Sequence, residues 1–193
     1  MPRLFTALEI PQSAALSLSL LRGGVPGARW IDRESYHITL RFIGDVDHRT
    51  ADEIVTALDR VNRQQFELTL SGTGVFGSKK PHSIWAGVQQ TPAIMALQAE
   101  LDRICQRMGL PPEPRKYTPH VTLARLKNAR IDDVMHYLSG RGNFLAGPFT
   151  VSRFLLMSSR DSVGGGPYVT EEAYPLLSPA APKRLAVEEL RPI

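Results

Sequence analysis

His37-Ile38-Thr39-Leu40 is answered, 83 residues later, by His120-Val121-Thr122-Leu123. The chain has five histidines in 193 residues, and two of them head these matching tetrads. Each tetrad alternates polar and apolar residues with period two, the signature of a strand carrying His and Thr on one face. Outward from the first tetrad, Tyr36 to Ile43 keeps the alternation. It places His37, Thr39 and Arg41 on one side and Ile38, Leu40 and Phe42 on the other, and Gly44-Asp45 ends the strand.

The surrounding chain falls into two similar runs. Leu4 to Ile10 reads as a strand, and residues 12–22 read as a helix broken by Gly23, Gly24, Pro26 and Gly27. Asp47 or Thr50 is placed to cap a helix over about 50–63. Phe66 to Leu70 forms a strand, followed by a flexible loop from Gly72 to Gly77. In the second run Ser83 to Val88 is a strand, Pro92 to Met108 a helix, and Pro111-Pro112-Glu113-Pro114 a stiff connector. A strand with His120 follows, then a helix over 131–139 and strands near 148–157 and 167–174. The order predicts a duplicated strand–helix–strand–helix–strand unit, with pseudo-repeats over about 3–71 and 82–158 inside one domain of residues 1–177. Residues 178–193 read as a Pro-rich extension without assigned chemistry.

The apolar fraction of 42% and the charged fraction of 22% are those of an ordinary globular chain. The net charge is +4, carried mostly by arginine, since the lysines are only Lys79, Lys80, Lys116, Lys127 and Lys183. Arginine forks suit phosphate oxygens, which favours a nucleotide or RNA partner; a basic solvated surface fits the charge equally well. Cys105 is the single cysteine, which excludes an internal disulfide and a paired-cysteine metal or redox site. It falls at helical spacing among Ile94, Leu97, Leu101, Ile104 and Met108 and reads as a core residue. No run approaches the ~20 apolar residues of a membrane span, and Glu9, Pro11, Ser17 and Ser19 interrupt any leader-like core, so a cytoplasmic monomer without membrane or obligate protein partner is expected. Aromatics make up 7% with no evident cluster, so recognition of an RNA end is expected rather than base stacking.

Several chemistries lack their signatures. No close set of His, Cys and Asp suggests a metal shell, with His48, His82 and His136 away from the pattern, and no metal or cofactor is expected. No Gly-x-Ser-x-Gly elbow occurs. Gly72-x-Gly74-x-x-Gly77 spells a dinucleotide loop but runs into Ser78-Lys79-Lys80-Pro81 instead of a helix. Paired histidines suit the opening of a phosphodiester, which needs a base for the incoming oxygen and an acid for the leaving one. Imidazole does either job near neutral pH. The hydroxyls of Thr39 and Thr122 can donate to phosphoryl oxygens, and nearby arginine can stabilise the developing charge.

At these residues the chain resembles the 2H phosphoesterase superfamily, in particular its RNA 2′,3′-cyclic phosphodiesterase (2′-5′ RNA ligase-like) branch. The resemblance rests on Arg3 to Leu8, on His37 to Gly44, on Arg115 to Arg125, and on Ser158 and Tyr168 before Pro175-Leu176. It implies an α+β, bilobal fold, with two pseudo-symmetric, mainly antiparallel sheets and flanking helices around a central cleft. It implies hydrolysis of RNA 2′,3′-cyclic phosphate ends to 2′-phosphomonoesters, with His37 as proton donor and His120 as proton acceptor. Thr39, Thr122 and Arg125 would bind phosphate, although strict alternation puts Arg125 opposite His120, so it must act from the strand end or a bend. The residues alone do not choose which histidine is acid and which is base, and they assign no role to Arg41. Ligation, a phosphodiesterase for another small nucleotide, and a non-catalytic RNA-binding module are the alternative readings.

Overall fold

Period-two segments pair into one large sheet and the 3.6-period segments cover one side of it. The computed structural model describes residues 3–159 and 168–178. Its strands are β1 (Arg3–Glu9), β2 (Ala28–Trp30), β3 (His37–Asp45), β4 (Phe66–Phe76), β5 (Ser83–Val88), β6 (His120–Leu126), β7 (Leu145–Val151), β8 (Arg153–Ser159) and β9 (Tyr168–Pro175). The helices are α1 (Gln12–Ser19), α2 (His48–Leu58), α3 (Pro92–Arg107) and α4 (Ile131–Ser139). Asp47 caps α2 by accepting the Thr50 amide at 2.7 Å, and Thr91 caps α3 by accepting that of Ile94.

The pairing is antiparallel throughout the named strands, in the order β7-β4-β5-β6-β3-β1-β8-β9, with β2 added on β6. Two lobes meet at β6 and β3, which are joined at a single registered pair, Ile38 with Val121. β7 and β8 lie six places apart in that order, yet only Ser152 separates them in the chain. A flat sheet would hold them roughly 29 Å apart at ~4.8 Å per strand, so the sheet must curl until its ends approach.

The two sequence units interlock. β4, which closes the first unit, pairs with β5 in the second lobe, and β8 pairs with β1 in the first. α3 lies under β3 and beside α2, while α1 touches β7 and the Tyr137 hydroxyl of α4 donates to the Leu21 carbonyl just beyond α1. One apolar core therefore runs through both lobes, taking Ile38 and Leu40 from β3, Val121 and Leu123 from β6, and Ile94, Leu97 and Leu101 from α3. Cys105 is fully buried within it.

Several expectations are corrected. The stretch from Gly72 to Phe76 is strand, not loop: Gly74 lies against Trp85, where a Cβ would come within 2.3 Å of the indole ring. Only a residue without a side chain fits there, so glycine marks a close approach of two strands. The run near 148–157 is two strands, divided at Ser152. α1 stops at Ser19 and α2 at Leu58, earlier than the apolar spacing suggested. Of the Pro-rich extension, residues 179–193 lie outside the described residues.

Candidate active site

The central pair sets the geometry of the cleft. With Ile38 opposite Val121 in antiparallel register, His37 comes opposite Thr122 and Thr39 opposite His120. The two histidines thus occupy a diagonal that in a regular sheet spans about 7–8 Å. No further pairs register on either side, so the strands part there and leave room between the side chains. Ile38 and Val121 are completely buried, which pins the alternation and turns all four polar side chains to the uncovered face.

Both imidazoles are held alike. Nδ1–H of His37 donates to the Ser35 carbonyl at 2.8 Å, and Nδ1–H of His120 donates to the Thr118 carbonyl at 2.7 Å. A carbonyl accepts only, so each Nδ1 keeps its proton and each Nε2 is left for the cleft. Aromatic rings wall both sites. Phe5 and Tyr168 stand 5.2 and 4.9 Å from the His37 ring, and Phe76 and Trp85 stand 4.9 and 6.0 Å from the His120 ring. Burial pushes the His37 pKa below 6.5; the Ser35 carbonyl opposes this, while positive charge on His120 and Arg125 reinforces it. Burial likewise lowers His120, opposed by the Thr118 carbonyl and reinforced by Arg125.

A β-bulge decides what the arginines do. On β3 the register to β1 shifts between Thr39 and Arg41, so Leu40 and Arg41 both turn inward. Arg41 is only 6% exposed, contrary to the expected face shared with His37. Its Nε lies 2.6 Å from Asp102 Oδ1, a charge contact without hydrogen-bond alignment. Its Nη1 donates to the Phe42 carbonyl and lies 3.6 Å from a Glu113 carboxylate oxygen, and its Nη2 donates to the Pro111 carbonyl. Arg41 thus ties the connector 108–116 to β3 and α3. Phe42, expected on the face opposite His37, is instead 48% exposed and borders the cleft.

β6 carries a bulge at the equivalent place, between Thr122 and Ala124. Leu123 and Ala124 are both buried, and Arg125 is turned out to the surface shared with Thr122. This is the bend that strict alternation required, and Arg125 acts electrostatically on both imidazoles. A cavity of about 350 Å³ opens beside His120, reaching Thr39, Phe42, Phe76, Arg115 and Lys116. The hydroxyl of Tyr117, also on its wall, donates to the Thr39 carbonyl at 2.9 Å and braces one lobe against the other. A second cavity of about 370 Å³ lies on the His37 side, with Glu9, Glu34, Arg33 and Tyr168 on its wall.

The rings around the histidines are what the linear reading missed. Phe5, Phe76, Trp85 and Tyr168 come from four separate strands, so no local cluster signals them. Among the described residues, no group of three or more His, Cys, Asp or Glu is placed to hold a metal ion, and no helix is long and apolar enough to cross a membrane.

The sequence and the fold are similar to those of known proteins. A family model described as the 2′-5′ RNA ligase superfamily matches residues 10–162. The chain is 36% identical over 149 residues to the RNA 2′,3′-cyclic phosphodiesterase of Aeropyrum pernix, covering 76% of this chain and 84% of that one. To the RNA 2′,3′-cyclic phosphodiesterase of Methanothermobacter thermautotrophicus it is 29% identical over 182 residues, covering 90% and 98%. The crystal structure of E. coli LigT in its apo form superposes with a TM-score of 0.74 at 24% identity, over 91% of this chain and 98% of that one.

Proposed function

This chain belongs to the 2′-5′ RNA ligase superfamily, and from that premise we propose that it hydrolyses RNA 2′,3′-cyclic phosphate ends to 2′-phosphomonoesters by paired-histidine acid–base catalysis. The observation that carries the reading is the matched pair of Nδ1–carbonyl bonds, which leaves two Nε2 atoms for one cleft with a threonine hydroxyl opposite each ring. The phosphoryl group sits between the rings. Nε2 of His120 takes a proton from water as the water oxygen attacks phosphorus. The bond from phosphorus to O3′ breaks, and Nε2–H of His37 protonates O3′, leaving a free 3′ hydroxyl and a 2′ phosphate. Thr39 and Thr122 donate to the non-bridging oxygens, and Arg125 offsets the charge that grows on them. Arg125 also favours the anionic substrate, whose charge in turn favours the protonated form of the acid, His37.

The test mixes purified protein, EDTA and an oligonucleotide ending in a 2′,3′-cyclic phosphate. A 2′-phosphate product is expected, and His37→Ala and His120→Ala are each expected to lose at least ~10²-fold in kcat/KM. A 3′-phosphate product, a requirement for added metal, or full rate in either variant would overturn the reading. Tight product binding without turnover would assign the cleft to a binding module.

A further inference from the structure

A second basic concavity lies on the helical side of the first lobe, away from the tetrads. It is a cavity of about 420 Å³ between α2 and α3, with Arg60, Arg63, Arg103 and Arg107 around a floor that includes Ala57 and Ile104. Arg63 is paired with Glu100. Arg60, Arg103 and Arg107 make no ion pair among the described residues, and the exposed Asp59 is the nearest acid along the chain to Arg60. The groove continues over the surface towards Arg49, which is paired with Glu53, and Asp52. Like charges gathered at i, i+4 on α3 cost stability without a counter-charge, and a polyanion would supply one.

The position of this groove makes it more than a charged face. Its edge, at Arg107 and Met108, begins the connector whose far end presents Arg115 and Lys116 to the cleft. Arg41 clamps that connector in place through Pro111 and Glu113. Fully extended, the eight residue steps from Arg107 to Arg115 span at most about 27 Å. A single strand of roughly 4–16 nucleotides, the site size of single-strand grooves, bridges such a distance. We propose that Arg60, Arg103 and Arg107 form a second phosphate-backbone site that holds the body of a single-stranded RNA while its cyclic end lies in the cleft. The proposal rests on the hydrolytic reading for the cleft and adds a preference for longer substrates.

The experiment compares oligoadenylates of one to ten nucleotides, each ending in a 2′,3′-cyclic phosphate, on wild type and on Arg103→Gln/Arg107→Gln. In wild type, KM falls about tenfold or more from mononucleotide to decamer while kcat stays level. In the double variant the decamer loses that advantage and the mononucleotide is turned over as before. Arg103→Lys/Arg107→Lys, which keeps the charge, restores at least part of it. The slope of log affinity against log salt for the decamer falls by about 1.4 when two phosphate contacts are lost. An unchanged decamer KM in the glutamine variant overturns the proposal, as does an equal loss on the mononucleotide. Should no cyclic phosphate be hydrolysed, the cleft reading fails alone. Anisotropy of a labelled decamer then decides the groove: binding weakened about fivefold or more in the glutamine variant upholds it, and unchanged binding overturns it. Displacement of the decamer by polyglutamate as readily as by polyadenylate at equal charge would assign the groove to an acidic protein and also overturn the proposal.

Discussion

The strands His37–Phe42 and His120–Arg125 run in parallel letter by letter and then part company. Both present His and Thr to the cleft, bury the intervening aliphatic residue, and bulge after the leucine. After the bulge, Arg41 and Ala124 are buried at equivalent places, while Phe42 and Arg125 are both turned outward. An arginine one position earlier is therefore a core ion-pair partner, and one position later it is a cation acting on both histidines. The lobes share a scaffold but not an electrostatic role, and the bulge converts a one-residue offset in sequence into opposite sides of the sheet.

The largest expected effect tests what the lobes share. If the histidines act as one unit, His37→Ala and His120→Ala each lose ~10²–10⁴-fold, and the double variant falls little below the weaker single one. Additive losses, measured as kcat/KM on one cyclic-ended oligonucleotide, would break the pairing. Circular dichroism melts should show little change, since both rings border the cleft.

Next comes the contrast between the arginines. Arg125→Ala should cost about 10²-fold in kcat/KM with little change in Tm if this exposed cation faces the developing charge as proposed. Arg41→Ala should do the reverse. Asp102 and Glu113 lose a nearly buried partner, costing about 3 kcal/mol. For a chain of 193 residues that lowers Tm by about 6–12 °C. Equal effects of the two variants on both Tm and rate would dissolve the comparison.

A smaller effect sharpens the second lobe alone. Gly74→Ala drives a methyl group into Trp85, whose ring lies 6.0 Å from His120. Overpacking of this kind costs ~1–3 kcal/mol and displaces the indole. Both Tm and kcat/KM should fall, and Trp85→Phe in the same background should recover part of each. No recovery would mean that the contact does not carry the effect.

The tetrads, the cap of α2 and the α+β character were legible because each depends on local pattern: burial of Ile38 and Val121, the Asp47 cap, the period of Ile94, Leu97 and Leu101. What stayed hidden depends on partners distant in the chain. The bulge at Leu40 is set by pairing with Thr6 and Ala7, so alternation placed Arg41 and Phe42 on the wrong faces. Gly72 and Gly74 carry turn chemistry locally, yet Trp85 holds that segment in the sheet. Nothing near Ser152 signals that its two flanking strands belong to different lobes. The exchange of β4 and β8 between lobes was invisible for the same reason.

The finest distinction between the two arginines is in the pH profile. Burial and the charge on Arg125 lower both histidines below 6.5. The proposed mechanism needs one ring protonated and the other neutral, so on that reading kcat/KM should peak below about pH 6.5 and decline on the alkaline side as the acid loses its proton. On the proposed reading, bound cyclic phosphate is an anion between the rings, so the profile of kcat should lie at higher pH than that of kcat/KM. Arg125→Gln removes one cause of the depression, and the alkaline limb of kcat/KM should move upward by less than about one pH unit. Arg41→Gln, assayed below its Tm, should leave the limb where it was, because Arg41 faces Asp102 across the core side of the sheet. Stability gives an independent reading of the same shifts. Both rings bind protons less readily folded than unfolded, so the unfolded chain takes up more protons as pH drops below about 6.5, and stability falls there. Arg125→Gln should narrow that loss, measured as the difference in Tm between pH 7.5 and 5.5. A limb that moves equally in both variants would place the two arginines in the same field and end the distinction between the lobes.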